Sequence, residues 1–473
     1  MSTGKTDKNI SLSTSWVVKP LGEVVQPTRP RIKPSEKPNL PFIGMENIEA
    51  HTMKLLGTVP AGNMKSSAVH FQPGDVLYGR LRPYLNKVYR PDFEGLCSAE
   101  FIVFPKTESM SSRYLQYFLN SSSFASYASH LNAGDRPRVD FEQLSPYPFP
   151  VAPYEQQQSI VAEIEKQFSR LDEAVANLKR IKANLKRYKA AVLKAAVEGK
   201  LTEDWRKQHP NVEPASKLLV CILAERRVKW NGRGKYKEPA KPDTSNLPLL
   251  PKHWTYAPVD SFLIEPMCNG ISVKGSMTPP GVPALRLNAM TETGFDYSKV
   301  RYIPIDAALA KELEVKAGDF FVSRGNGSLR LVGRGTVAQT PPRQCVFPDT
   351  MIRLRIAVAM GTSRWISTIW SAELIRRQIE KRVKTTAGIW KISQPELGSI
   401  LLPVPPEAEQ HRIVDEVERR LSVIDELEAT VEANLTRADR LRQAILREAF
   451  SGKLISQGGF DQDTTAQFGR AHL

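Results

Sequence analysis

The stretch PFPVAPYEQQQSIVAEIE (148–165) decides how the chain is organised, because it occurs twice: LLPVPPEAEQHRIVDEVE (401–418) is its second copy. The alignment runs on without a gap at a constant offset of 253. Pro150 falls on Pro403, Pro153 on Pro406, Gln157 on Gln410 and Ile160-Val161 on Ile413-Val414. Further along, Asp172-Glu173 falls on Asp425-Glu426 and Gly199-Lys200-Leu201 on Gly452-Lys453-Leu454. About 19 of 52 aligned positions are identical, too many for chance over an ungapped run. Fainter echoes lie upstream. FQPGDVLYGR (71–80) resembles VKAGDFFVSR (315–324), Asn132-Ala-Gly134 resembles Thr386-Ala-Gly388, and Trp16 and Trp254 open the two halves.

Each copy reads as a long helix that starts after a proline-rich turn and ends at Gly199 or Gly452. Val161, Ile164, Phe168, Leu171, Val175 and Leu178 step by 3 and 4, a heptad seam. After a one-residue slip, Ile181, Leu185, Tyr188 and Val192 resume it. Val414, Val417, Leu421, Ile424, Leu427, Val431, Leu435, Leu441 and Ile445 form the matching stripe. Helices of about 40 residues reach roughly 60 Å. Their apolar stripes call for each other, and related units tend to pair about a two-fold axis. With that axis perpendicular to the helices, an antiparallel coiled coil with pseudo-two-fold symmetry is expected; parallel packing, which would place both globular parts at one end, is the alternative.

The parts upstream of the helices hold short strand-like runs, such as Glu100–Phe104, Phe320–Val322 and Met351–Ile356, interrupted by helical stretches from Ser112 to Tyr127 and from Trp365 to Lys384. The expected class is α+β, a tandem duplication of a mixed domain followed by a long helix. The expected segments are 1–153 (first globular domain), 154–205 (first helical region) and 206–250 (basic helix and linker). They continue with 251–405 (second globular domain), 406–456 (second helical region) and 457–473 (tail).

Charge sharpens the division. The chain of 473 residues carries 66 Lys+Arg against 50 Asp+Glu, net +16. The globular parts and the linker hold +18 and the helical segments −2. Positive charge therefore lies where a phosphate-contacting surface belongs. A polar loop in the first half gathers Arg80, Arg82, Tyr84, Asn86 and Lys87. In the second half, Arg324, Asn326, Ser328, Arg330 and Arg334 sit in a glycine-containing run. Arginine reads guanine with two parallel hydrogen bonds and asparagine reads adenine, so both loops are candidate DNA contacts, although a strand and tight turn would use the same residues. Arg136 and Arg138 precede the first proline junction, and Lys384 and Lys391 the second; either pair serves phosphate contact or holds a domain to its helix. The basic run from Lys179 to Lys194 reads better as a solvated helix face or a partner for the acidic second helix.

Catalytic patterns are missing. GKT at Gly4 lacks the glycine of a phosphate loop, no HExxH occurs, and there is no Asn/Asp-Pro-Pro-Tyr/Phe methyltransferase motif. Pro91-Asp92 and Pro348-Asp349 lack a nuclease-type continuation. Cys97, Cys221, Cys268 and Cys345 are scattered, indicating neither a disulfide framework nor a zinc site. No apolar run is long enough to span a membrane and the first residues lack a signal-peptide core, so a cytoplasmic location is expected.

The twice-seen proline junction, together with VLKAAVEGKLTEDWR (192–206) and AFSGKL (449–454), resembles the specificity subunit of Type I restriction–modification systems. GDVLYGRLRPYLNKV (74–88) and RGNGSLRLVG (324–333) look like loops of that family's target recognition domains, and the LTEDWR extension is most similar to the K-type (IA) subgroup. The resemblance implies a noncatalytic subunit with two target recognition domains, each reading half of an asymmetric bipartite site in double-stranded DNA. It implies that the coiled coil sets the spacer and docks two modification (methyltransferase) subunits, which two ATP-dependent restriction subunits join. S-adenosylmethionine, ATP and magnesium would then sit on those partners, with no cofactor in this chain. From a different class, a two-ended protein scaffold without sequence-specific DNA reading remains the alternative.

Overall fold

The computed structural model describes residues 16–27, 31–230, 236–356, 362–386 and 388–455. Gly4 with its GKT, linker residues 231–235, Ala387 of the hairpin before the second junction, and the tail 457–473 lie outside the described residues. The chain divides into two compact units. Unit 1 comprises residues 1–180 and 431–473, and unit 2 comprises residues 181–430. Each long helix, Tyr154–Val197 and Glu407–Phe450, contributes its first part to one unit and its last part to the other. At 44 residues, each is about 66 Å long.

In unit 1 the strand Val76–Gly79 runs between Val88–Tyr89 and Phe101–Phe104, antiparallel to both. A five-stranded sheet adjoins it, ordered Arg31–Ile32, Ala68–Phe71, Gly95–Ser98, Pro41–Ile43, Val59–Pro60. The sequence suggested one helical stretch from Ser112 to Tyr127. It is two helices, Ser112–Asn120 and Ser122–His130, broken at Ser121, whose hydroxyl caps the second. Tyr114, Phe118, Phe124 and Phe149 pack with Ile160, Ile164 and Phe168 of the first long helix and with Leu446 and Phe450 of the second. Phe450 meets Tyr114 and Phe118 edge to face, at centroid distances of 5.0 and 5.2 Å.

Unit 2 repeats the plan with an enlarged globular part. Phe320–Ser323 lies between Gly335–Val337 and Met351–Leu354, again antiparallel, and the GD turn before it is the same turn. Asp75 accepts from the Gln72 N–H and Asp319 from the Lys316 N–H, each at 2.9 Å. Helix Thr362–Ile369 is followed by a second, Glu373–Arg382. The basic stretch expected between the halves forms helix Ala215–Lys229, but it belongs to the core of unit 2: Ala215, Leu218 and Ile222 are buried. Arg226 is buried too, held by the Asp260 carboxylate at 3.2 Å and lying 4.5 Å from the Trp230 ring. The apolar and basic residues of this helix are mixed around it, with Val220 and Val228 exposed, so the sequence gives no clear inner face; its three apolar anchors are what fix it here.

The proline junctions share strand register and backbone acceptors. Val17–Pro20 pairs antiparallel with Pro148–Val151, and Thr255–Pro258 with Leu401–Val404. The Tyr114 hydroxyl donates to the Pro150 carbonyl and the Trp365 indole to the Pro403 carbonyl, both at 2.9 Å. Gln157 donates its side-chain amide to the Ala152 carbonyl as Gln410 does to that of Pro405. Trp16 donates to Gln156 and Trp254 to Glu409, each at 2.8 Å.

Inside each unit the two long helices run antiparallel. In unit 1, Arg442 pairs with Asp172 and lies 4.3 Å from the Phe168 ring, while Ile160 and Ile164 share a core with Leu446 and Phe450. In unit 2, Lys189 pairs with Asp425 at 3.4 Å, and Val192 and Ala196 share a core with Ile413 and Val417. Seam residues beside the globular cores are buried, as expected. Ile181, Tyr188, Leu427 and Leu441 are exposed instead. A two-helix seam covers only a narrow stripe, and no third layer shields residues at its edge.

Candidate nucleic-acid interface

Each unit brings two of the basic segments together. In unit 1 the Arg82 N–H donates to the Pro137 carbonyl at 2.7 Å and the Val139 N–H to that of Arg80 at 3.0 Å. Arg80–Lys87 and Asp135–Arg138 thus form one surface. Arg82 and Asn86 both take left-handed backbone conformations, φ 52° and 42°, around the turn Pro83–Leu85. That turn presents Tyr84, which is 47 % exposed.

The side chains on this surface have unequal freedom. Arg80 is paired with Asp140 and Arg138 with Glu100. Arg136 is exposed and Arg82 half-buried, and neither has an ion pair among the described residues. Asn86 is buried, its amide donating to the Asn120 carbonyl at 3.0 Å, so it braces the turn from beneath. Lys87 reaches the Met45 carbonyl, and burial pulls its pKa below the usual lysine value.

In unit 2 the strand Gly325–Asn326 pairs with Ile389–Lys391, which pairs with Lys384–Thr386, so the Arg324 loop and the Lys384 hairpin are one three-stranded sheet. Arg324 donates to the Asp349 carbonyl at 3.3 Å. Asn326 accepts from the Ser328 N–H at 3.0 Å, an Asx turn that shapes the loop. Arg330 and Lys391 are exposed and Arg334 half-buried, all three without ion pairs among the described residues. Lys384 contacts Glu396 at 2.8 Å, which together with the Ser393 N–H holds the Glu396 carboxyl down at about 2.

Sequence reading missed the residues that hold these loops from behind. Arg376 donates to the Leu329 carbonyl at 2.7 Å and to that of Val332, fixing the Ser328–Arg334 turn. Glu100 and Asp140 set the direction of Arg138 and Arg80. No spacing in the sequence marks them, because each contact crosses tens of residues.

Comparison with known proteins shows what the chain resembles. Residues 14–187 match the model of the Type I restriction modification DNA specificity domain. The chain is 27% identical over 372 residues to the Type I restriction enzyme EcoKI specificity subunit of Escherichia coli (strain K12), covering 77% of this chain and 69% of that one. It is 26% identical over 353 residues to the StySPI specificity subunit of Salmonella potsdam, covering 74% and 66%. A chain solved in work on complex assembly and conformational transition of the type I R-M system shares the fold, with a TM-score of 0.66 at 20% identity, covering 94% of this chain and 99% of that one. The domain match and these relatives make the chain similar to the specificity subunits of Type I restriction–modification systems.

Proposed function

We propose that the two basic surfaces each read one half of an asymmetric bipartite site in duplex DNA, and that the shared long helices set the spacer between the halves. The observation that carries this reading is the repeated construction of the surface: in both units a loop following the GD-turn strand joins the segment just before the proline junction. Both surfaces carry arginines or lysines free to meet phosphates, while their side chains differ, as two different half-sites require.

Two copies of one modification subunit dock on the helices. Ser169, Glu173 and Ala176 are exposed in unit 1, and their identical counterparts Ser422, Glu426 and Ala429 are exposed in unit 2. Steps of 4 and 3 place each trio on one helix face. Two other pairs of shared exposed residues have internal duties: Asp172 and Asp425 pair across the helices, and Glu165 and Glu418 pair with Arg113 and Arg364. Among the described residues no intramolecular side-chain contact explains the trios, which supports an external partner met twice. Restriction subunits join that complex, and S-adenosylmethionine, ATP and magnesium are bound by the partners, in a prokaryotic cytoplasm.

The test uses the chain assembled with its modification subunits and a randomised duplex library. Replacing Arg82 and Arg136 with alanine should weaken DNA binding several-fold and flatten the salt dependence by about two counterions, with selection at the other half-site intact. Binding without sequence selection by the unaltered complex would leave only the two-ended scaffold.

A further inference from the structure

The three-stranded sheet of unit 2 has two unlike faces. Its register sets Lys384 opposite Lys391, Thr386 opposite Ile389, and Gly325 beside Lys391. Side chains alternate along a strand, so Lys384, Ile389 and Lys391 share one face while Thr385, Trp390 and Asn326 share the other. Trp390 is partly buried and packs against the core of unit 2, anchoring the sheet from that side. On the outer face, Lys384 is 82 % exposed and Ile389 45 % exposed.

This outer face is costly for an isolated domain. Two ammonium groups directly opposite on neighbouring strands repel, and Glu396 compensates only Lys384. A β-branched apolar side chain stands in water beside them. Gly325, on the edge strand beside Lys391, keeps that side of the face low: a Cβ there would come within 3.2 Å of Lys391 Cγ. The combination of a narrow ribbon, uncompensated positive charge and one apolar tip has a specific complement. The major groove of B-DNA admits a two-stranded ribbon, lies between two rows of phosphates, and exposes one apolar group, the C5-methyl of thymine.

We propose that this ribbon enters the major groove of the half-site read by unit 2, where Ile389 recognises a thymine methyl and Lys384 and Lys391 hold the flanking phosphates. The inference rests on the reading of unit 2 as a DNA-binding unit and assigns the second half-site one thymine contacted through its methyl group.

The experiment compares thymine with uracil, which removes only the methyl. Using the complete chain assembled with its modification subunits and the site it selects, each thymine of the second half-site is replaced in turn by deoxyuridine. One replacement should weaken the unaltered complex by roughly three- to tenfold, the scale of one lost methyl contact. Ile389→Ala should weaken binding to the thymine site similarly and respond no further to that replacement, whereas Ile389→Val should keep the response. Lys391→Ala should weaken binding to all sequences alike. Unchanged selection at the first half-site verifies that each variant is folded. The proposal is overturned if no replacement in the second half-site matters, or if Ile389→Ala stays as sensitive as the unaltered chain. An unaltered complex that selects no sequence overturns the underlying reading instead.

Discussion

At two matched positions, unit 1 closes its contacts with a neutral amide where unit 2 uses a carboxylate. Gln156 receives the Trp16 indole; its counterpart Glu409 is fully buried and receives the indole of Trp254, the hydroxyl of Thr202 at 2.6 Å and the guanidinium of Arg206. Gln143 accepts from the Asp140 N–H at the turn before the first junction. Its counterpart Glu396 accepts from the Ser393 N–H, both at 3.0 Å, and also takes Lys384. Arg113 meets Glu165 at 3.6 Å, whereas Arg364 spans both Glu418 and Asp415, at 2.9 and 3.0 Å. Duplication preserved the geometry and let the electrostatics diverge, so salt and acid should act on the two units unequally.

The largest test of that contrast is at the buried carboxylate. Glu409→Ala strands Arg206 and the Trp254 N–H and should cost about 3–5 kcal/mol, while Gln156→Ala should cost about 1 kcal/mol. Urea unfolding followed by amide exchange in each unit measures both, and equal losses would erase the distinction. A smaller effect is expected at the domain-to-helix pairs. Arg364→Ala should cost up to about 1 kcal/mol and Arg113→Ala less, with the difference vanishing in high salt, because both pairs are largely exposed.

The smallest effect concerns acid. The Glu396 pKa is lowered from 4.5 to about 2, so its contribution is complete above about 4.5 and is lost as pH falls toward 2. Protection of the Ser393 amide, relative to its intrinsic exchange rate at each pH, should fall across that window, and protection at Asp140, beside the uncharged Gln143, should respond less. A carboxyl titration of Glu396 near 4.5 would contradict this.

The repeat made much of this architecture readable. An offset of 253 located both junctions and both helices, because apolar spacing and proline placement are local signals, whereas the antiparallel direction of the pairing is not a local signal. The sites were legible only as segments. Arg80, Arg82, Arg136 and Arg138 were visible as a basic cluster, but the pairing of Arg80 with Asp140 and Arg138 with Glu100 arises from chain crossings no periodicity encodes. Asn86 looked like a base reader and is buried under its turn: a polar residue in a polar loop gives no sign of which way it faces. Ile389 drew no notice, since one isoleucine in a hairpin gains meaning only from the lysines its register sets beside it.

Unit 2 is one unbroken stretch, 181–430, whereas unit 1 needs residues from both 16–180 and 431–455. During synthesis the first domain therefore emerges with Ile160, Ile164 and Phe168 lacking the Leu446 and Phe450 that will cover them. At about 5–20 residues per second, the roughly 270 intervening residues take on the order of 15–50 s. The first-made half is thus the last to be sealed, and its open apolar seam is the period in a molecule's life when another chain's matching helix can take the place of its own.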